Sequence, residues 1–247
     1  NNLYYKELSD NYRTLENDSF NKYKLLFKEY GMNINKSDLD LTKDISDIEK
    51  ILKMLNDIGI TSHKYLLDLV NNSDVSKITD IYNYKKSGFI DKNFIIHNIS
   101  IFKDKYDYFC SNIKLLEEKQ SSPSKINKIQ NNLLTNSTIF NNNIDILEKY
   151  NLFNRLFDTN YVIFLKSTDL KEKIDILLEL GFENILKKDL TLLNYDKNLF
   201  KRLIVLKKIN MLPDQLEEIE LVLNKKDFIL KDEELDNYIL NINIDTL

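Results

Sequence analysis

Apolar residues recur at helical spacing along most of the chain, and each long run stops at the same kind of residue. The runs YKLLFKEYGM (23–32), ILKMLNDIGI (51–60), IYNYKKSGF (81–89) and IDILLELGF (174–182) each close on a glycine followed by an apolar residue. Those glycines, Gly31, Gly59, Gly88 and Gly181, are all the glycines the chain has. Glycine after a helix supplies the left-handed backbone that a C-cap favours. Their gaps are 28, 29 and 93 residues, the last close to three further steps. Asparagine is the next best left-handed residue, and Asn151 and Asn210 fall in the same place after 141–150 and 199–209. One member of the series is missing. It is expected near 118–121, where Glu118, Lys119 and Gln120 stand instead of glycine.

This pattern predicts an all-α chain, an α-solenoid of about seven helix-turn-helix repeats of roughly 30 residues. Residues 1–247 read as a single helical-repeat array, with a possible irregularity or sub-array junction at 118–137. Within that stretch Pro123 interrupts the pattern. Ile126, Ile129, Leu133 and Leu134 still share a helical face, which favours a divergent repeat over a linker. Predicted apolar stripes are Ile48, Ile51, Leu52, Leu55 and Ile58; Leu170, Ile174, Leu177 and Leu178; and Leu199, Leu203, Leu206 and Ile209 with Phe200 and Ile204. Capping boxes are expected at Ser46/Glu49, Asp169/Glu172 and Asp214/Glu217. Shorter helices are expected within 62–74, 154–169 and 183–196. YVIFL (161–165) has strand propensity, but with no partner strand nearby it reads as a buried short helix or turn.

The unit LLELGFENILKKDLTLLNYDKNLFKRLIVLKKINM (177–211) resembles the repeats of the mitochondrial transcription termination factor (mTERF) family. Leu180-Gly181-Phe182, the pair Leu192-Leu193, and Leu203 with Leu206 occupy the family's motif positions; Leu190-Thr191 stands where the family usually has proline before the leucine pair. The resemblance implies a curved array of helical repeats and, in the family, nucleic-acid binding.

Charge bears on that implication. The net charge is −4, whereas nucleic-acid binders draw much of their affinity from a basic face. Locally, Lys187, Lys188, Lys197, Lys201, Arg202, Lys207 and Lys208 form a basic segment and are the candidate nucleic-acid contacts. Residues 214–236 are acidic, so the two stretches read as complementary solvated helix faces or as a basic groove under an acidic cap.

Candidate chemistry is sparse. His63 follows the Gly59 corner and reads as a solvent-facing helix start; His97, in an apolar run, reads as a core histidine; Cys110 reads as a buried, inert thiol. A lone cysteine permits no intrachain disulfide, which fits a reducing compartment. The acidic stretch KSDLDLTKD (36–44) lacks the glycine and final glutamate of a calcium loop. No phosphate-binding glycine loop occurs. No cofactor, metal site or enzymatic activity is therefore expected. Phe27, Phe140, Phe164 and Phe200 read as core, whereas Tyr4, Tyr5, Tyr12, Tyr82, Tyr84, Tyr106 and Tyr108 are open to either packing or partner contact.

The resulting expectation is a non-catalytic scaffold that binds a protein or peptide, with a nucleic-acid-binding repeat protein as the alternative. No apolar stretch has the length of a membrane span, and a cytoplasmic location is expected. The chain opens NNLYY without methionine, which reads as a trimmed form or an excised region, with a removed signal peptide left open.

Overall fold

The structure, a computed structural model, describes residues 20–39, 43–159, 161–208, 210 and 212–224. It is all-α, with no strand among the described residues. Helix α1 covers 20–29. The others are α2 (Ile45–Ile58), α3 (His63–Asn72), α4 (Val75–Lys86), α5 (Lys92–His97), α6 (Tyr106–Glu118), α7 (Pro123–Lys128), α8 (Ser137–Lys149), α9 (Leu170–Glu179), α10 (Glu183–Leu186), α11 (Phe200–Lys208) and α12 (Leu216–Asn224). Short 3₁₀ turns, among them Ile99–Phe102, Gln130–Asn132, Phe164–Lys166 and Thr191–Asn194, lie between the longer helices. YVIFL thus ends in a 3₁₀ turn in which Phe164 and Leu165 are buried.

Seven described residues have positive φ: Gly31, Gly59, Gly88, Gln120, Asn151, Gly181 and Asn210. Gln120, at φ 57°, lies in the interval where the sequence series has no glycine or asparagine. Each is closed the same way. The corner N–H donates to the carbonyl three residues back, at 2.8–3.1 Å, from Gly31 to Lys28 through Asn210 to Lys207. At the first six corners the next N–H donates to the carbonyl five residues back, as in Ile60 to Leu55, Ser121 to Leu116 and Leu152 to Leu147. This is the Schellman arrangement, which satisfies carbonyls that a helix end leaves open.

The described residues form two compact units. One contains the described residues up to Phe109 together with Ser122–Gln130; the other contains Cys110–Ser121 and the described residues from Asn131 to Asn224. In the first unit α2 packs on α3 and α4, while α4 and α5 pack on the Ile99–Phe102 turn. Ile48, Ile51, Leu52, Leu55 and Ile58 are all fully buried there, and burying each such side chain contributes about 1.5–3 kcal/mol. Tyr84 meets Phe89 and Phe109 edge-on, each at 5.6 Å between ring centroids. In the second unit α8 packs on α9 and on the Phe164–Lys166 turn, α9 on the Thr191–Asn194 turn, and α11 on α12. Phe140, Phe164 and Phe200 fill this core.

Several local expectations shift by a residue or two. The cap of α2 is Asp44, whose carboxylate accepts from the Ser46 N–H at 2.7 Å, so Ser46 sits inside the first turn rather than at the cap. Asp169 does precede α9, but its carboxylate is taken by Ser167 and Lys173 instead of the helix backbone. Helix α12 starts at Leu216, two residues beyond Asp214. Ser122 and Pro123 open α7, with Pro123 in the first turn where its missing N–H costs nothing. In the stripes, Lys173 and Val205 are buried, whereas Leu134, Leu178, Leu199 and Ile204 are only half-buried. Ile209, Tyr4, Tyr5 and Tyr12 lie outside the described residues.

Candidate functional site

Counting back from five of the seven corners exposes a polar position that residue type alone hides. Eight residues before Gly31, Gln120, Asn151, Gly181 and Asn210 stand Tyr23, Asn112, Asn143, Lys173 and Arg202. All five are donors, and each reaches a backbone carbonyl 12–16 residues past its corner. Tyr23 Oη donates to Lys43 O at 2.9 Å. Asn112 Nδ2 donates to Leu133 O at 3.0 Å and Thr135 O at 2.8 Å. Asn143 Nδ2 donates to Leu165 O at 3.0 Å and Ser167 O at 2.7 Å, with Phe164 O at 3.4 Å. Lys173 Nζ meets Leu193 O at 3.3 Å, and Arg202 Nη1 meets Val222 O at 3.0 Å. Asn112, Asn143 and Lys173 are buried. Buried polar groups are tolerated when hydrogen-bonded, and buried turn carbonyls need donors that the turn itself does not supply. The shared chemistry is therefore structural: Tyr23, Asn112, Asn143 and Lys173 each tie a long helix to a following turn, and Arg202 ties α11 to the end of α12.

The basic segment is largely engaged in bonds of the same kind. Lys187 pairs with Glu183 at 2.6 Å, and Lys197 pairs with Glu172 on α9 at 2.5 Å. Lys207 donates to the Glu179 carbonyl at the end of α9, and Arg202 reaches α12. Lys85 makes the bond corresponding to that of Lys207, to Asp57 O at 3.0 Å, so these two lysines, each three residues before its corner, cover a carbonyl at the end of the preceding long helix. Such capping is favourable at helix C-termini. Lys188 and Lys208 are exposed and Lys201 is half-buried. Four of the seven cations, Lys187, Lys197, Arg202 and Lys207, thus serve separate neighbours within the chain.

Tyrosines left open by the sequence are also engaged within the chain. Tyr106 donates to Asp80, with Lys77 lying 5.1 Å above its ring. Tyr82 approaches Asp57 at 3.4 Å, and Lys105 lies 5.2 Å from the centre of the Tyr108 ring. His63 is exposed at the start of α3. His97 is exposed rather than in the core: it ends the short α5, and its Nδ1 lies 2.7 Å from Asn93 O. Cys110 is half-buried, more open than expected. Among the described residues no group of three or more His, Cys, Asp or Glu side chains is placed to hold a metal ion.

The α8–α9 joint has the most developed electrostatics. Tyr150 donates to Asp175, and Lys171 donates to the other carboxylate oxygen at 2.5 Å. Burial pushes the Asp175 carboxyl up, but the hydrogen bonds from Lys171 and Tyr150 outweigh it and hold the group below the usual carboxylate range. The same bond to Asp175, with burial added, raises the Tyr150 phenol. A lowered folded-state value means stability that is present above the unfolded pKa of about 3.9 and lost as pH falls. Asp175→Asn removes that titration at nearly constant shape, so the acid-side fall of Tm should be shallower than in the wild type. Parallel Tm curves across the acid range would contradict the assignment.

A surface cavity of about 410 Å³ adjoins this joint, lined by Leu152, Leu178 and Leu186 with Lys149, Glu183 and Lys187. Its size suits a small ligand. Glu183 there is tied to Lys187, which holds its carboxyl below the ordinary range. Catalytic sites typically pair titratable groups whose environments push them apart into acid and base roles. Here the raised phenol and the lowered carboxyls are each driven further into their ordinary forms at neutral pH. No helix among the described residues is long and apolar enough to cross a membrane. No protein-family model, curated protein or solved structure matches this chain.

Proposed function

We propose that the chain is a non-catalytic helical-repeat scaffold, an α-solenoid of about seven units, that binds a protein or peptide partner in the cytoplasm. The observation that carries this reading is the recurrence of one corner, left-handed and identically bonded, at steps of 28–32 residues. Repeat arrays of this kind present extended surfaces built from many equivalent helices. The polar groups that could have formed a reactive cluster are spent on holding units together. The engagement of Lys187, Lys197, Arg202 and Lys207 within the chain favours a protein partner over a phosphate backbone. The single cysteine supports a reducing compartment.

A second reading, an mTERF-like nucleic-acid-binding repeat protein, is supported by the order of elements over 177–211: α9, the Gly181 corner, α10, the Leu192–Leu193 turn and α11. One experiment separates the two. The purified chain is screened against a displayed random-peptide library and, in parallel, titrated with fluorescent duplex DNA over a salt series. The scaffold reading expects reproducibly enriched peptides with saturable binding and no DNA binding at physiological salt. Tight DNA binding whose affinity falls steeply with salt, without peptide enrichment, would overturn it in favour of the second.

A further inference from the structure

The donor position has two exceptions, both within the first compact unit. At the second corner the residue eight places back is Ile51, and Lys43 takes over, its Nζ donating to Val70 O at 2.5 Å and Ser73 O at 2.8 Å. At the third corner, Gly88, the position is Asp80, an acceptor. Asp80 takes the hydroxyl of Tyr106 and offers nothing to a carbonyl. Among the described residues no side chain donates to the carbonyls of residues 99–104, which include 101–104, the positions matching Leu133–Thr135 and Phe164–Ser167. The turn keeps its own backbone bonds, Ile101 to Asn98 and Lys103 and Lys105 to Ser100. It also keeps the apolar contacts of Ile101 and Phe102, both buried, and the partly exposed ion pair of Lys103 with Asp68 of α3 at 2.5 Å.

We propose that the joint between α4 and the Ile99–Phe102 turn is a built-in compliant point, the place where a unit opens from its neighbour without breaking a side-chain bond to a turn carbonyl. The inference rests on the repeat reading, but on no assumption about partners. Local opening follows the free energy of the interactions that must be broken, and one hydrogen bond of ordinary strength changes an opening constant by roughly three- to tenfold.

Amide hydrogen exchange of the wild-type chain tests it. The Ile101, Lys103 and Lys105 amides should exchange about tenfold faster than those of Thr135, Lys166 and Ser167, whose turns carry an asparagine lock. Asp80→Asn supplies the missing donor while its Oδ1 still accepts from Tyr106, so it should slow the three fast amides by roughly three- to tenfold and leave the others unchanged. Equal protection of both sets in the wild type would overturn the proposal, as would a folded Asp80→Asn chain with unaltered exchange at 101–105. Either failure would leave the repeat corners themselves untouched.

Discussion

Asn143→Asp should cost the protein about 2–4 kcal/mol at neutral pH, more than an exposed polar change could. Asn143 is 1% exposed, and its Nδ2 holds the carbonyls of Leu165 and Ser167. Aspartate has almost the same shape, so packing is conserved and the change isolates the donor. It removes both bonds and turns an anion toward carbonyl oxygens in a buried place, where the charged form is penalised. The new carboxyl will hold its proton more tightly in the folded state than in the unfolded one. A raised folded value for an acid means that stability is lost as pH rises above the unfolded pKa of about 3.9. The variant should therefore lie nearest the wild type in acid, where a protonated carboxyl restores one donor, and fall away toward neutrality. Urea unfolding of both proteins at acid and neutral pH measures this. A loss below about 0.5 kcal/mol that does not vary with pH would show that the lock contributes nothing beyond an ordinary surface contact.

Gly181→Val should be nearly as damaging, about 2–3 kcal/mol, for a purely backbone reason. Gly181 sits at φ 91°, and a Cβ there would meet no atom within 4 Å, so no steric collision with neighbours enters the result. The cost is that of placing a β-branched side chain in the left-handed region, where even alanine costs about 1–2 kcal/mol. Alanine should thus lie between glycine and valine. At Gly59 the comparison is less clean, because an added Cβ would fall 2.3 Å from the Lys92 side chain, though that chain's flexible end can move. A neutral Gly181→Val would contradict the corner geometry.

The parts of this architecture that depend on residue type were legible in the sequence. Glycine and asparagine report a left-handed corner because few other residues enter that region readily. Gln120 could not be read this way, since glutamine carries no such signature and is held there by the bond from Ser121 to Leu116 and its surroundings. The donor locks were illegible for a different reason. Tyr23, Asn112, Asn143, Lys173 and Arg202 share a chemistry and a register but no residue type, and Asn112 joins the register only once Gln120 is counted as a corner. Lys173 was further masked by Leu170, Ile174 and Leu177, the apolar stripe around it. His97 was misread because periodicity over a helix as short as Lys92–His97 cannot assign its last residue to a face.

The most direct test of the repeated corner is the stability change of Gln120→Gly by denaturant unfolding, because its sign alone decides. In the left-handed region glycine relieves strain that exceeds the entropy it adds to the unfolded chain, and the account expects a gain of about 0.5–1 kcal/mol. In any ordinary helical or extended backbone the same change costs about 0.5–1 kcal/mol. A loss of that size would remove the fourth corner, break the series between Gly88 and Asn151, and with it the claim that one unit is repeated along this chain.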